Sequence, residues 1–175
     1  MNVLIIYATI EGQTGKIAKF AENQVRDAGH EVRAINSQDK VSDVEFEGID
    51  SVILAAPVHE RRHPLPFEVV LSAHHDELAK RRTLLLSISL SAAFPEGLEE
   101  ANEYLVEMKM RAGFDPDDEM LVAGAIRTEK YDYFASQIVR HVVLRGRDFD
   151  PNAGAHEFTN WDELSSKIDN FLSAA

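Results

Sequence analysis

Residues 9 to 15 read T-I-E-G-Q-T-G, bringing two hydroxyls (Thr9, Thr14), one side-chain amide (Gln13), two glycines (Gly12, Gly15) and one carboxylate (Glu11) together. They stand between a short apolar run and a segment whose apolar residues recur at helical spacing. A helix N-terminus leaves N–H groups unpaired and carries partial positive charge, and glycines let those amides close around an anion. With hydroxyl and amide donors added, and no basic residue before Lys16, the stretch suits a phosphate monoester held by neutral donors. The same residues also make an ordinary tight strand-to-helix turn with Thr9 or Thr14 as its cap. The G-x-x-x-x-G-K-[ST] and G-x-G-x-x-G loops are both absent, and Glu11 would repel a triphosphate.

Other residues narrow the chemistry by what they lack. The chain has no cysteine, which excludes disulfides, thiolate metal sites and iron–sulfur clusters, so any redox function must come from a bound cofactor. The seven histidines show no H-E-x-x-H or other compact ligand spacing, and no metal site is expected. His59 and His63 suit loop hydrogen bonds, and His74 and His75 suit a helix surface. A net charge of −12 repels phosphate backbones, so no nucleic-acid partner is expected. Against that background Arg61-Arg62-His63, Lys80-Arg81-Arg82 and Arg140 to Arg147 are the dense positive stretches, each of which also reads as a solvated face or helix end.

Elements that could position the first loop follow from hydrophobic period. At 175 residues the chain is expected to form a single domain over 1–175. No apolar segment approaches the roughly 20 residues needed to span a bilayer. The first apolar run follows Met1-Asn2 without a basic region, so a cytoplasmic protein is expected. Continuous or alternating β-rich runs at 2–8, 31–36, 51–57, 83–89 and 120–126 read as strands. Between and after them, helices are expected over 13–28, 66–79, 95–113 and 159–172, the last with Thr159 and Asp162 at capping-box spacing. This alternation gives an α/β fold, a doubly wound five-stranded parallel sheet of order 2-1-3-4-5 with helices on both faces. Residues 127–158 interrupt it: 131–145 fits an extra helix, and Asp150-Pro151-Asn152-Ala153-Gly154 reads as a turn.

The loop T-x-E-G-Q-T-G after an N-terminal strand resembles the phosphate loop of flavodoxins, which reads T/S-x-T-G-x-T and holds flavin mononucleotide (FMN). A finer similarity is to the flavodoxin-like, menaquinone-linked protoporphyrinogen dehydrogenases of bacteria. It rests on TIEGQTGKIA, on AGAIR (123–127), on the extended segment that follows, and on EFTNWDEL (157–164). The resemblance implies that Thr9, Glu11, Gly12, Gln13, Thr14 and Gly15 bind the FMN phosphate. It further implies that Pro57, Val58, His59, Glu60 and Arg61 pass one side of the flavin ring, with Ser89, Leu90, Ser91 and Ala92 near the other. The second loop departs from the pattern, since the dehydrogenases carry tyrosines where this chain has His59, Glu60, Arg61 and His63. Cations there would stabilise an anionic reduced flavin and attract a carboxylate-bearing substrate such as a porphyrinogen, or would simply project into water beside Pro64 and Pro66.

The resemblance thus implies an FMN-dependent oxidoreductase that oxidises protoporphyrinogen and passes electrons to a quinone. Two other readings stand beside it. One is an electron carrier without a small-molecule substrate, whose acidic face steers redox partners. The other is a flavin-free interaction module. In the extended segment, Arg140, Arg145 and Arg147 with Ile138, Val139, Val142, Val143 and Leu144 fit peripheral contact with the inner face of the cell membrane, a helix over the sheet edge, or a dimer contact. No motif places an Asp, Glu or His as a general base, and no catalytic residue is assigned.

Overall fold

The chain is described by a computed structural model over residues 1–39, 44–127 and 154–174. Val3 to Ile6 are buried on both sides, as a continuous β-branched run requires, and form the middle of β1 (Asn2–Tyr7). Around it lie β2 (Glu31–Asn36), β3 (Ser51–Pro57), β4 (Arg82–Ser89) and β5 (Asp118–Ala123), all parallel, in the order β2-β1-β3-β4-β5. Alternate strand residues feed two cores. Leu4, Ile6, Val52, Leu54 and Leu85 pack with Phe67 and Leu71 of α2 (Leu65–Ala73) and with Leu105 and Met108 of α4 (Leu98–Ala112). On the opposite face Val3, Ile5, Ile53, Leu84 and Leu86 meet Ile17, Ala21 and Val25 of α1 (Gln13–Asp27) and Leu164, Ile168 and Phe171 of α5 (Trp161–Ser173). Each fully buried Leu, Ile or Phe contributes about 1.5–3 kcal/mol. The reversal of strand order falls between β1 and β3, which puts the turn after β1 in the crevice at the sheet's carboxyl end.

Several boundaries differ from expectation. The segment 66–79 is two helices, because His74 leaves helical geometry (φ −112°, ψ 19°) between α2 and α3 (His75–Leu78). Residues 95–97 form a 3₁₀ turn and α4 starts at Leu98. Gly97 packs against the 91–93 turn so closely that a Cβ would stand 2.2 Å from the Ser91 carbonyl. The run 120–126 is not one strand. Pairing with β4 stops at Ala123, and beyond Gly124 the chain forms β6 (Ala125–Arg127), antiparallel to β7 (Ala155–Glu157). The helix expected over 131–145 and the turn expected over 150–154 lie outside the described residues, except for Gly154, which has a positive φ of 72°.

The cap of α5 is also displaced. The N-cap is Asn160, whose Oδ1 accepts from the Glu163 N–H at 3.2 Å. Thr159 instead donates its hydroxyl to the Ala123 carbonyl at 2.7 Å. A capping side chain is worth about 1 kcal/mol. Asn160→Ala should therefore lower the unfolding free energy by about that amount in urea titration, whereas Asp162→Ala should leave it nearly unchanged; equal losses would restore the Thr159–Asp162 box.

Candidate functional site

The turn after β1 is built by its own side chains. Thr9 donates its N–H to Gln38 Oε1 at 3.1 Å, and its hydroxyl accepts the Gly12 N–H at 3.1 Å. Gly12 then turns the chain at φ +97°, a left-handed conformation that glycine adopts without strain, and α1 begins. No side chain caps α1, and the amides of Gln13, Thr14 and Gly15 have no carbonyl one turn back to receive them. Thr14 is buried, and its Oγ1 has no partner among the described residues; the same holds for Gln13 Oε1. The Gln13 side-chain N–H groups are committed behind the turn, to Glu157 Oε2 at 3.1 Å and Thr159 Oγ1 at 3.0 Å. Expected as a donor to a ligand, Gln13 is left with its backbone N–H for that purpose.

Glu157 ties this turn to the end of the chain. Besides Gln13 it receives Lys16 Nζ at 2.5 Å and the Trp161 indole N–H at 2.7 Å. Burial pushes its pKa up, but these hydrogen bonds and the Lys16 charge outweigh that and hold it below the usual carboxylate range.

The second loop is a strained turn pinned from below. His59 and Arg62 exchange backbone hydrogen bonds at 2.9 and 3.1 Å, and the two residues between them, Glu60 and Arg61, both have positive φ (50° and 65°). Such non-glycine positions cost about 1–3 kcal/mol each and persist only where neighbours hold them. Here His63, directly after the turn, is buried with its Nε2 2.9 Å from Ser87 Oγ of β4. Burial drives its pKa down to about 4, the Glu68 charge opposing and the Arg111 charge adding to the effect. Arg62 donates to buried Glu68 at 2.9 Å, and Glu68 also accepts from Arg111 at 2.9 Å. Desolvation raises the Glu68 pKa, yet the two guanidinium groups lower it further.

Glu100 of α4 joins the second loop to the third. It lies 3.5 Å from Arg61 Nη1, accepts the Ser91 hydroxyl at 3.0 Å and accepts the Tyr104 hydroxyl. The Tyr104 hydrogen bond, more than the Arg61 charge, holds the Glu100 carboxyl low, while burial and Glu100 push Tyr104 up to about 12. In the third loop, Ser89 Oγ accepts the Ala92 N–H at 3.1 Å, and Ser91–Ala93 is a 3₁₀ turn.

The three loops converge on one cleft. Of the expected residues, Glu11, Gln13, Thr14, Pro57, Val58, His59, Ser89 and Leu90 line it. Ile10, Ile88, Gly124 and Ala125 line it as well, although no residue type or spacing distinguishes them in the sequence. Thr9, Gly12 and Gly15 shape the turn without lining the cleft, Glu60 and Arg61 sit at the tip of the second loop, and Ser91 and Ala92 lie in the 3₁₀ turn. Glu11 Oε1 and His59 Nε2 approach to 4.0 Å across the mouth. The orphaned hydroxyl and free amides fit a phosphate monoester as they stand. The free space in the cleft is about 80 Å³, below the roughly 300–1,000 Å³ of small-molecule pockets. A larger hollow of about 600 Å³ opens at the other end of the sheet, but its charged groups are mutually satisfied, Arg81 by Glu77 and Lys109 by Asp115 and Glu119.

Arg127 was not among the expected site residues. A Cβ built on Gly12 would stand 3.7 Å from its Cζ, so a guanidinium lies against a turn that has no cation of its own before Lys16. Its only sequence signal is its place at the end of AGAIR. Among the described residues no group of three or more His, Asp or Glu is placed to hold a metal ion.

The sequence profile of a family described as "Flavodoxin domain" matches residues 4–150. Protoporphyrinogen IX dehydrogenase [quinone] of Escherichia coli is 22% identical over 168 residues, covering 95% of this chain and 92% of that protein. Oxidised flavodoxin 1 from Bacillus cereus superposes with a TM-score of 0.58 at 15% identity, covering 100% of this chain and 99% of the other. A Fusobacterium nucleatum flavodoxin bound to flavin mononucleotide superposes with a TM-score of 0.52 at 15% identity, covering 99% and 95%.

Proposed function

The chain belongs to the flavodoxin domain family, and on that premise we propose that it is an FMN-dependent oxidoreductase that oxidises protoporphyrinogen IX and passes the electrons to a quinone. The observation that carries this proposal is the buried Thr14 hydroxyl, unpartnered among the described residues, in the wall of the cleft at the N-terminus of α1. A buried polar group without a partner costs about 1–3 kcal/mol, which a phosphate oxygen would relieve. Thr9, Glu11, Gly12, Gln13, Thr14 and Gly15 form the phosphate end, with Gln13 contributing its backbone amide. Pro57, Val58, His59, Glu60 and Arg61 flank one side of the ring, and Ser89, Leu90, Ser91 and Ala92 the other. Bound FMN supplies the redox chemistry; the chain binds and orients it.

Support for the substrate comes from the E. coli relative and from Arg61, whose side chain is 74% exposed and held over Tyr104, 5.5 Å from the ring centroid. A cation so placed recruits a carboxylate-bearing porphyrinogen. Electrons and protons then leave the porphyrinogen and reduce a quinone to its quinol. No helix among the described residues is long and apolar enough to cross a membrane; in this reading a membrane quinone is reached by peripheral contact at the inner face of the cell membrane. One observation favours a second reading: the net charge of −12 suits a carrier that steers toward a basic redox partner.

The test is a visible absorption spectrum of the purified protein after incubation with FMN and desalting, followed by anaerobic addition of protoporphyrinogen IX. Retained flavin bands that bleach are expected. Bands that persist unbleached would favour the carrier, and no retained flavin would leave an interaction module.

A further inference from the structure

We infer that Arg127 is a cationic clamp on the phosphate end of the site, giving this turn a preference for dianionic phosphate monoesters; this rests on the FMN reading above. The turn itself offers only neutral donors and one carboxylate, Glu11, which opposes an incoming dianion. A compensating charge must come from elsewhere in the fold, and β6 delivers it. In the β6–β7 hairpin Ala125 stands opposite Glu157 and Arg127 opposite Ala155, so Arg127 and Glu157 share one face. Glu157 reaches the N-terminus of α1, where it binds Gln13 and Lys16, and the Arg127 guanidinium lies against Gly12 in the same turn.

Glu157, the carboxylate on the same face of the hairpin, is already engaged by Lys16, Gln13 and Trp161. Arg127 makes no hydrogen bond or ion pair with a described residue. A second, independent feature points to an anion at the same turn: the buried hydroxyl of Thr14, only 1% exposed, lacks any partner among the described residues. A guanidinium and a buried hydroxyl without partners among the described residues, together with free helix amides, match a phosphate dianion, and a charge-assisted hydrogen bond is roughly twice as strong as a neutral one.

The experiment is fluorescence titration of FMN and of riboflavin, which lacks the phosphate, into the full chain and its Arg127→Gln and Arg127→Lys variants at low and high salt. Inorganic phosphate is titrated in parallel, read by the Gly12 amide resonance. Arg127→Gln should weaken FMN about tenfold, leave riboflavin unchanged and flatten the salt dependence, while Arg127→Lys keeps most of the affinity. Equal weakening of both flavins, or no change in either, would overturn the clamp and leave the FMN reading intact. If the unmodified chain binds neither flavin but phosphate shifts the Gly12 amide, and does so less in Arg127→Gln, the FMN reading fails and the clamp stands. If phosphate and both flavins leave the unmodified chain unaltered, both fail.

Discussion

Thr14→Val should move binding and stability in opposite directions. Valine keeps the shape of threonine and removes the hydroxyl, whose Oγ1 is buried without a partner among the described residues. In the flavin-free protein the substitution deletes an unsatisfied polar group and should raise the unfolding free energy by about 1 kcal/mol. On the proposed FMN reading the same hydroxyl donates to phosphate, and its loss should weaken binding at least tenfold, about 1.4 kcal/mol. Urea titration without FMN and fluorescence titration with it separate the two effects. A variant that loses stability and affinity together would make Thr14 part of the scaffold instead of the site.

The second large effect is acid sensitivity centred on His63. Burial lowers its folded pKa to about 4 from the ordinary 6.5, while the unfolded chain keeps the ordinary value. Stability from this group is therefore fully present above pH 6.5 and is lost as pH falls toward 4, where the unfolded state binds a proton the folded state refuses. The shift corresponds to about 3 kcal/mol across that window. Glu68 also titrates, but its pKa is depressed below 4.5, so its contribution is lost at lower pH. Urea titrations from pH 7 to pH 4.5 should show a steep decline for the unmodified protein and a flatter one for His63→Asn, which starts lower because the contact with Ser87 is altered. Identical slopes would assign the decline to another group.

The sheet order and both core faces could be read in the sequence because they rest on local period: Val3 to Ile6 and Ile53 to Ala56 are continuous apolar runs, and Ile17, Ala21 and Val25 repeat on one helix face. The turn after β1 was legible for the same reason, since its residue types are contiguous. Long-range pairings were not. Nothing near Glu157 announces that it will hold Gln13, and nothing near Arg127 places it against Gly12; both depend on β6 and β7 pairing across a segment of uncertain period. The break at Gly124 is not legible in the sequence, because Val122, Ala123, Ala125 and Ile126 read as one buried run and the change of partner from β4 to β7 is a tertiary choice. The cap of α5 went to Asn160 because Thr159 was drawn to the Ala123 carbonyl, a contact invisible to local spacing.

The tether between the first turn and Glu157 has a bearing on how the protein is made. Gln13 and Lys16 are made well before the residue that holds them, which lies 144 and 141 positions further along. A nascent chain that has completed β1 and α1 thus carries the turn without its fastening, which arrives only once β7 has been made. Domains fold as units during synthesis, and contacts of such separation form late. A truncation that spares every residue of the turn but removes β7 would accordingly leave the candidate site present in sequence and untied in space.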